Sequence, residues 1–144
     1  EWNGGGCAFD GRFLRLEGGP RDGGETKVDL VVGDATIACG RGIVALLDSA
    51  SGPSVPILRV EARRATFVVE PGQVFVEQSG IGAPEAYRGA VRWIDDGGRY
   101  EGGTTFRRID GAAERQELPF PTPDGLPRGV EGQRGGAATS GAGA

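Results

Sequence analysis

The feature that most constrains this chain is a self-match at a fixed offset of 30 residues. Residues 30–46 laid over 60–76 without gaps put Leu30 on Val60, Val32 on Ala62, Ala35-Thr36 on Ala65-Thr66 and Ile37 on Phe67. Further along, Gly42 falls on Gly72, and Val44 and Leu46 fall on Val74 and Val76. The N-terminus fits the same template once two residues are dropped from its middle turn. Trp2 then takes the place of Leu30, Ala8-Phe9 that of Thr36-Ile37, and Leu14 and Leu16 those of Val44 and Leu46. A looser fourth copy starts at Trp93, with Tyr100 in the Phe67 place and Ile109 in the Val76 place. Here Gly98-Arg99 replaces Ala-Thr, and Arg107 stands where an apolar residue is expected. Self-similarity at such a period marks repeat architectures, in which each unit buries its apolar face against its neighbours.

Each unit holds three short apolar pieces separated by turn residues. The last piece alternates, as in Phe13-Leu14-Arg15-Leu16 and Val74-Phe75-Val76, and period-two alternation belongs to a strand with one buried face. Helical spacing is poor throughout, and glycine at this density would cost a helix about 1 kcal/mol per residue relative to alanine. Of the 28 Gly and 9 Pro, 20 Gly and 5 Pro fall within residues 1–110, interleaved with Val, Ile, Leu and Phe. There they read as punctuation between strands. The body is therefore all-β. The variable stretches 17–27, 47–57 and 77–90 all lie between the third piece of one unit and the first of the next. Length changes at one corner are what a coil of stacked turns would produce.

A unit of this length with three short strands resembles a turn of the right-handed parallel β-helix, the pectate-lyase-like architecture. The resemblance covers residues 1–110, a β-solenoid of about four turns, and rests on pattern alone. It implies three interior ladders: Phe9, Ile37, Phe67 and Tyr100; Leu16, Leu46, Val76 and Ile109; and Trp2, Leu30, Val60 and Trp93. An antiparallel sandwich or small barrel explains the alternation equally well. It does not explain recurrence at one fixed offset. A solenoid end exposes unpaired backbone and apolar side chains and normally needs a cap. With Trp2 already inside a unit, either further turns precede the chain or a partner covers that end. Residues 111–144 form a Pro/Gly-rich tail, expected to be flexible, with Leu118 and Phe120 able to dock on the C-terminal end of the coil.

Composition narrows the function. Net charge is −4 and Lys27 is the only lysine; arginine is spread along the chain rather than clustered, which argues against nucleic-acid binding. No apolar run approaches the roughly 18 residues of a membrane span, so the chain reads as soluble. With two cysteines, Cys7 and Cys39, and no histidine, neither a disulfide framework nor a zinc site is indicated. Whether Cys7 and Cys39 pair is left open.

The candidate site residues each have a plainer reading. Asp95-Asp96 resembles the paired carboxylates of polygalacturonase-like β-helices, but those enzymes also carry a Gly-His-Gly segment, and adjacent strand residues point to opposite faces. An Asp-Asp-Gly-Gly turn fits better. Arg59, Arg63, Arg64, Arg92, Arg107 and Arg108 supply the arginine a pectate-lyase-like site needs, without an acidic cluster at Ca²⁺-ligand spacing. Gly4-Gly5-Gly6 and Gly40-Arg41-Gly42 lack the Gly-Lys-Ser/Thr of a phosphate loop. Ser49, Ser51, Ser54 and Ser79 have no histidine to activate them. The expectation is no catalytic, cofactor-binding or metal site. The chain would be a non-catalytic interaction module of a larger protein, presenting a rigid β surface to another protein or neighbouring domain. A carbohydrate-binding or polysaccharide-active β-helix is the alternative.

Overall fold

The computed structural model describes residues 1–18, 27–48 and 56–120. The strands come in threes. β1 (Trp2–Asn3), β2 (Gly6–Phe9) and β3 (Leu14–Glu17) make the first unit, and β4 (Lys27–Gly33), β5 (Thr36–Cys39) and β6 (Val44–Leu47) the second. β7 (Ile57–Arg63), β8 (Thr66–Val69) and β9 (Val76–Ser79) make the third. A four-residue helix, α1 (Glu85–Arg88), precedes the fourth unit of β10 (Val91–Asp96), β11 (Arg99–Glu101) and β12 (Arg107–Asp110), and β13 (Arg115–Leu118) ends the described chain.

Corresponding strands of successive units pair side by side, giving sheets β1-β4-β7-β10, β2-β5-β8-β11 and β3-β6-β9-β12-β13. Every pairing is parallel except β12 with β13. Parallel partners need a long crossover, usually a helix; here each crossover runs through the other two sheets. The protein is thus all-β with parallel sheets, and the antiparallel sandwich or barrel is set aside. Strand β13 and the buried Phe120 lie within residues 111–120, next to the expected 1–110 unit. Residues 121–144 of the expected tail, and most of the variable stretches 17–27 and 47–57, lie outside the described residues.

The second and third units pair as the offset of 30 requires through their first two strands: Leu30 with Val60, Val32 with Ala62, Thr36 with Thr66 and Ile37 with Phe67. Trp93 joins Val60 and Tyr100 joins Phe67. The third strand departs from the expectation: Val44 meets Val76 and Leu46 meets Gln78, while Val76 meets Arg107 and Gln78 meets Ile109. The cause is a turn over residues 70–73, closed by Gln73 N–H donating to Glu70 O at 3.1 Å. Pro71 precedes Gly72 there, and Gly72 has φ +84°, the pattern of a type II turn. It inserts two residues, so length changes are not confined to one corner. Gly72 and Gly42 are not equivalent. Gly42 is required by close approach, since a Cβ there would lie 2.4 Å from the Val74 carbonyl oxygen.

The first unit needs no deletion. Trp2 pairs with Val32, Cys7 with Ile37, Phe9 with Cys39 and Leu14 with Val44, all at 30. The ladder through Ile37, Phe67 and Tyr100 therefore begins at Cys7 rather than Phe9, and Trp2 leaves the Leu30–Val60–Trp93 row. A further row runs through Phe13, Ile43, Phe75 and Phe106: Phe13 N–H donates to Ile43 O, Ile43 N–H to Phe75 O, and Phe75 N–H to Phe106 O.

The Ala-Thr repeat marks the corner between the first two strands of a unit. Gly4, Asp34, Arg64 and Gly97 occupy it with φ +73°, +48°, +49° and +71°. Ala35 and Ala65 follow at 4% and 0% exposure, so only a small side chain can turn inward there. Inside, Ile37, Phe67, Val60 and Phe75 are fully buried, each adding roughly 1.5–3 kcal/mol of hydrophobic stabilisation. The aromatic rows stack: Phe67 on Tyr100 with centroids 5.5 Å apart, and Phe75 on Phe106 at 6.1 Å. Phe120, 3% exposed, closes the fourth-unit end against Tyr100 at 5.3 Å and Phe75 and Phe106 at 5.6 Å.

Candidate functional site

Strand alternation sends one side chain in two outward, and two grooves lie on the outer faces of the described residues. On the sheet of β2, β5, β8 and β11, Ala8, Ala38 and Val68 are register neighbours. Their short side chains floor a groove of about 400 Å³, bounded by Asp10, Glu70 and Pro71. On the sheet of β3, β6, β9 and β12, Ala45 and Leu47 floor a smaller slot of about 210 Å³ flanked by Arg12, Arg15, Glu77 and Ser79. Glu77 accepts ion pairs from both Arg12 and Arg108. The Arg12 guanidinium is held below its ordinary pKa by desolvation first, and then by Arg41, Arg15 and Arg108. Several charges of these faces are used on one another. Arg64 makes a two-pronged contact with Asp34 of the unit before, Nε to Oδ1 and Nη2 to Oδ2, each 2.6 Å.

Among the described residues, the buried polar side chains are Gln78, Asp95 and Arg107. Asp95 is 0% exposed and continues the Val32–Ala62 row. Its Oδ1 accepts from Gly98 N–H at 3.0 Å and from the Tyr100 hydroxyl at 3.1 Å, while Tyr100 accepts from Trp93 Nε1–H at 2.9 Å. A buried carboxylate is tolerated where donors converge on it. Asp96 is exposed. The pair thus faces opposite ways, as period-two geometry requires, but Asp95 belongs to a strand rather than to the turn.

Arg107, 6% exposed, lies in the inward row of Leu14, Val44 and Val76. Its Nε donates to Gln78 Oε1 at 2.6 Å, its Nη1 to Arg88 O at 3.0 Å and its Nη2 to Tyr87 O at 2.6 Å. It thereby satisfies carbonyls at the end of α1, the role a basic side chain commonly takes at a helix C-terminus. Burial, with Arg88 adding to it, pushes its pKa down to about 10. The Tyr87 hydroxyl donates to Asp48 Oδ2 at 2.8 Å and accepts from Gly82 N–H at 2.6 Å. Residues 80–90 are thus fastened to the sheet from both sides. Sequence reasoning missed this cluster; its signal was the arginine at an apolar position.

Arg59, Arg63 and Arg92 are exposed on outward strand positions, with Arg63 paired to Glu61. Arg92 stands opposite Arg59 in the register. Cys7 and Cys39 are free thiols, and desolvation raises the pKa of both, against Phe13 N–H at Cys39. Gly4-Gly5 and residues 40–42 form corners between strands, Ser79 faces the smaller slot, and Ser49, Ser51 and Ser54 lie outside the described residues. Among the described residues, no group of three or more Cys, Asp or Glu is placed to hold a metal ion, and no helix is long and apolar enough to cross a membrane. No protein-family model, curated protein or solved structure matches the chain.

Proposed function

We propose that this chain is a non-catalytic repeat module of a larger protein, a β-solenoid of the pectate-lyase-like kind whose stacked units present a rigid β surface to another protein or neighbouring domain. The observation that carries the reading is the division of side chains between inside and outside. Phe67, Phe75, Trp93, Tyr100 and Phe106 are all buried, whereas the outer faces carry cross-unit ion pairs such as Arg64–Asp34 and Arg12–Glu77. A saccharide-binding face uses exposed aromatic planes beside its polar groups; a mixed-charge face suits protein contacts, which charge complementarity steers and selects.

The groove of Ala8, Ala38 and Val68 supports a second reading, carbohydrate binding, because Asp10 and Glu70 place two carboxylates beside it. A glycan array spanning acidic and neutral polysaccharides separates the two. The module reading expects no saturable binding and no release of reducing sugar. Binding abolished by D10N together with E70Q would overturn it in favour of the groove.

A further inference from the structure

We propose that the end of the stack formed by β1, β2 and β3 seats a second copy of this chain, through a two-fold antiparallel β3–β3 pairing centred on Leu16. The proposal rests on the stacked-unit reading and names the partner of one of its surfaces. β1, β2 and β3 are the outermost strands of all three sheets. Their inward neighbours are only half covered: Cys7, Phe13, Leu14 and Leu16 are intermediate in burial, while the equivalent Ile37, Ile43, Val44 and Leu46 are 0–2% exposed. An apolar interior framed by strands that are paired along one edge only, among the described residues, is a template for strand addition.

The occupant follows from the two ends and from charge. At the opposite end β13 lies antiparallel on β12 and Phe120 covers the aromatic rows, so the end that a head-to-tail fibre would need is closed on that sheet. A closed two-fold pair, in which the same patch meets itself, needs no free surface at that opposite end. The outward residues of β3 are Arg15 and Glu17, 65% and 60% exposed. With Leu16 opposite Leu16 of the second copy, Arg15 stands opposite Glu17 of the second copy, and Glu17 opposite its Arg15. Parallel pairing cannot be two-fold symmetric, and the antiparallel register makes both outer pairs attractive. Arg15 and Glu17 already reach each other within one chain, at 2.5 Å, so pairing across the axis needs only a change of partner.

Sedimentation equilibrium of the 144-residue chain, from about 1 to 200 µM, tests this. The wild type is expected to dimerise, with no larger species. R15E places two glutamates opposite each other at both ends of the pairing and is expected to weaken the dimer about ten-fold or more. The double charge swap R15E/E17R is expected to restore it. Both positions are exposed, so far-UV circular dichroism of the variants should match the wild type, and so should the urea midpoint at concentrations where all of them are monomeric. A monomeric wild type, an R15E variant that dimerises undiminished, or a charge swap that fails to restore pairing would each overturn the proposal. A monomer that survives excision of one whole unit with its fold intact would sink the dimer and leave the stack standing.

Discussion

Replacing Phe120 with alanine tests whether the fourth-unit end is closed by packing or merely lies beside the chain that follows it. The ring is 3% exposed and meets Tyr100, Phe75 and Phe106 at 5.3–5.6 Å. Truncating a buried phenylalanine costs about 3–5 kcal/mol. The lower end applies here, because water can enter a hole at the last layer more readily than one in a central unit. A loss of about 3 kcal/mol corresponds to a fall of about 10 °C in Tm for a structure of this size. The matched control is Ile81→Ala: Ile81 is 58% exposed and should change stability by less than about 0.5 kcal/mol. Urea titration followed by far-UV circular dichroism reads both. If F120A loses under about 1 kcal/mol, the aromatic closure does not hold the end and the reasoning fails.

Arg107→Leu should cost about 3 kcal/mol by urea titration, since Gln78 and the Tyr87 and Arg88 carbonyls lose a buried donor; adding Gln78→Leu should recover part of it, and a double variant worse than the sum would contradict the assignment. Excision of residues 34–63, one offset of 30, should leave a protein that unfolds cooperatively with an m-value lower by roughly a quarter; collapse to an unfolded chain would refute the modular reading. For acid stability, hydrogen bonding to Arg64 lowers the Asp34 pKa and hydrogen bonding to Arg63 lowers that of Glu61. A carboxyl whose folded pKa is depressed contributes stability above its unfolded pKa and loses it as pH falls through the folded value. The urea midpoint should therefore hold from neutral pH down to about 5 and drop below about 4. D34N/E61Q should flatten that acid limb, and an unchanged limb would refute the assignment.

Much of the fold was legible because burial imposes periodicity. Leu30, Val60 and Trp93 could be placed in one row from spacing alone, since a slip of one residue would turn each of them outward. The register of the third strands was not legible in the same way. A slip of two residues preserves inward and outward faces, so alternation could not tell Val74 from Val76 as the neighbour of Val44. Only the Pro71-Gly72 turn carried that information, and it competed with an accidental Gly42–Gly72 match. The same blindness displaced the first unit, where Ala8-Phe9 and Gly6-Cys7 are equally plausible strand pairs by pattern.

The polar interior was harder still to read. Arg107 breaks the apolar row, and the break was visible, but its meaning depended on α1 bringing two carbonyls within reach. No local pattern encodes that. Asp95 was read as part of a turn because Gly97-Gly98 follow it; its burial results from Tyr100 and Trp93 lying on either side of the corner. The outer grooves depend on which small residues become neighbours across units, so they emerge only once register is known.

The left-handed corner also bears on the order in which the chain folds. Asp34 and Arg64 hold a backbone conformation that L-residues rarely adopt, in the two units that have neighbours on both sides; Gly4 and Gly97 hold it in the outer units. The central corners are therefore costlier to hold in isolation than the glycine corners, and packing of the sheets on either side offsets that cost. A nucleus would span the second and third units together, with Ile37 and Phe67 in contact before either corner is complete. The first unit, half-covered at Cys7 and Leu14, would condense last and open first. At concentrations low enough to keep the chain monomeric, amide exchange should accordingly be fastest along β2 and β3 and slowest along β5 and β8.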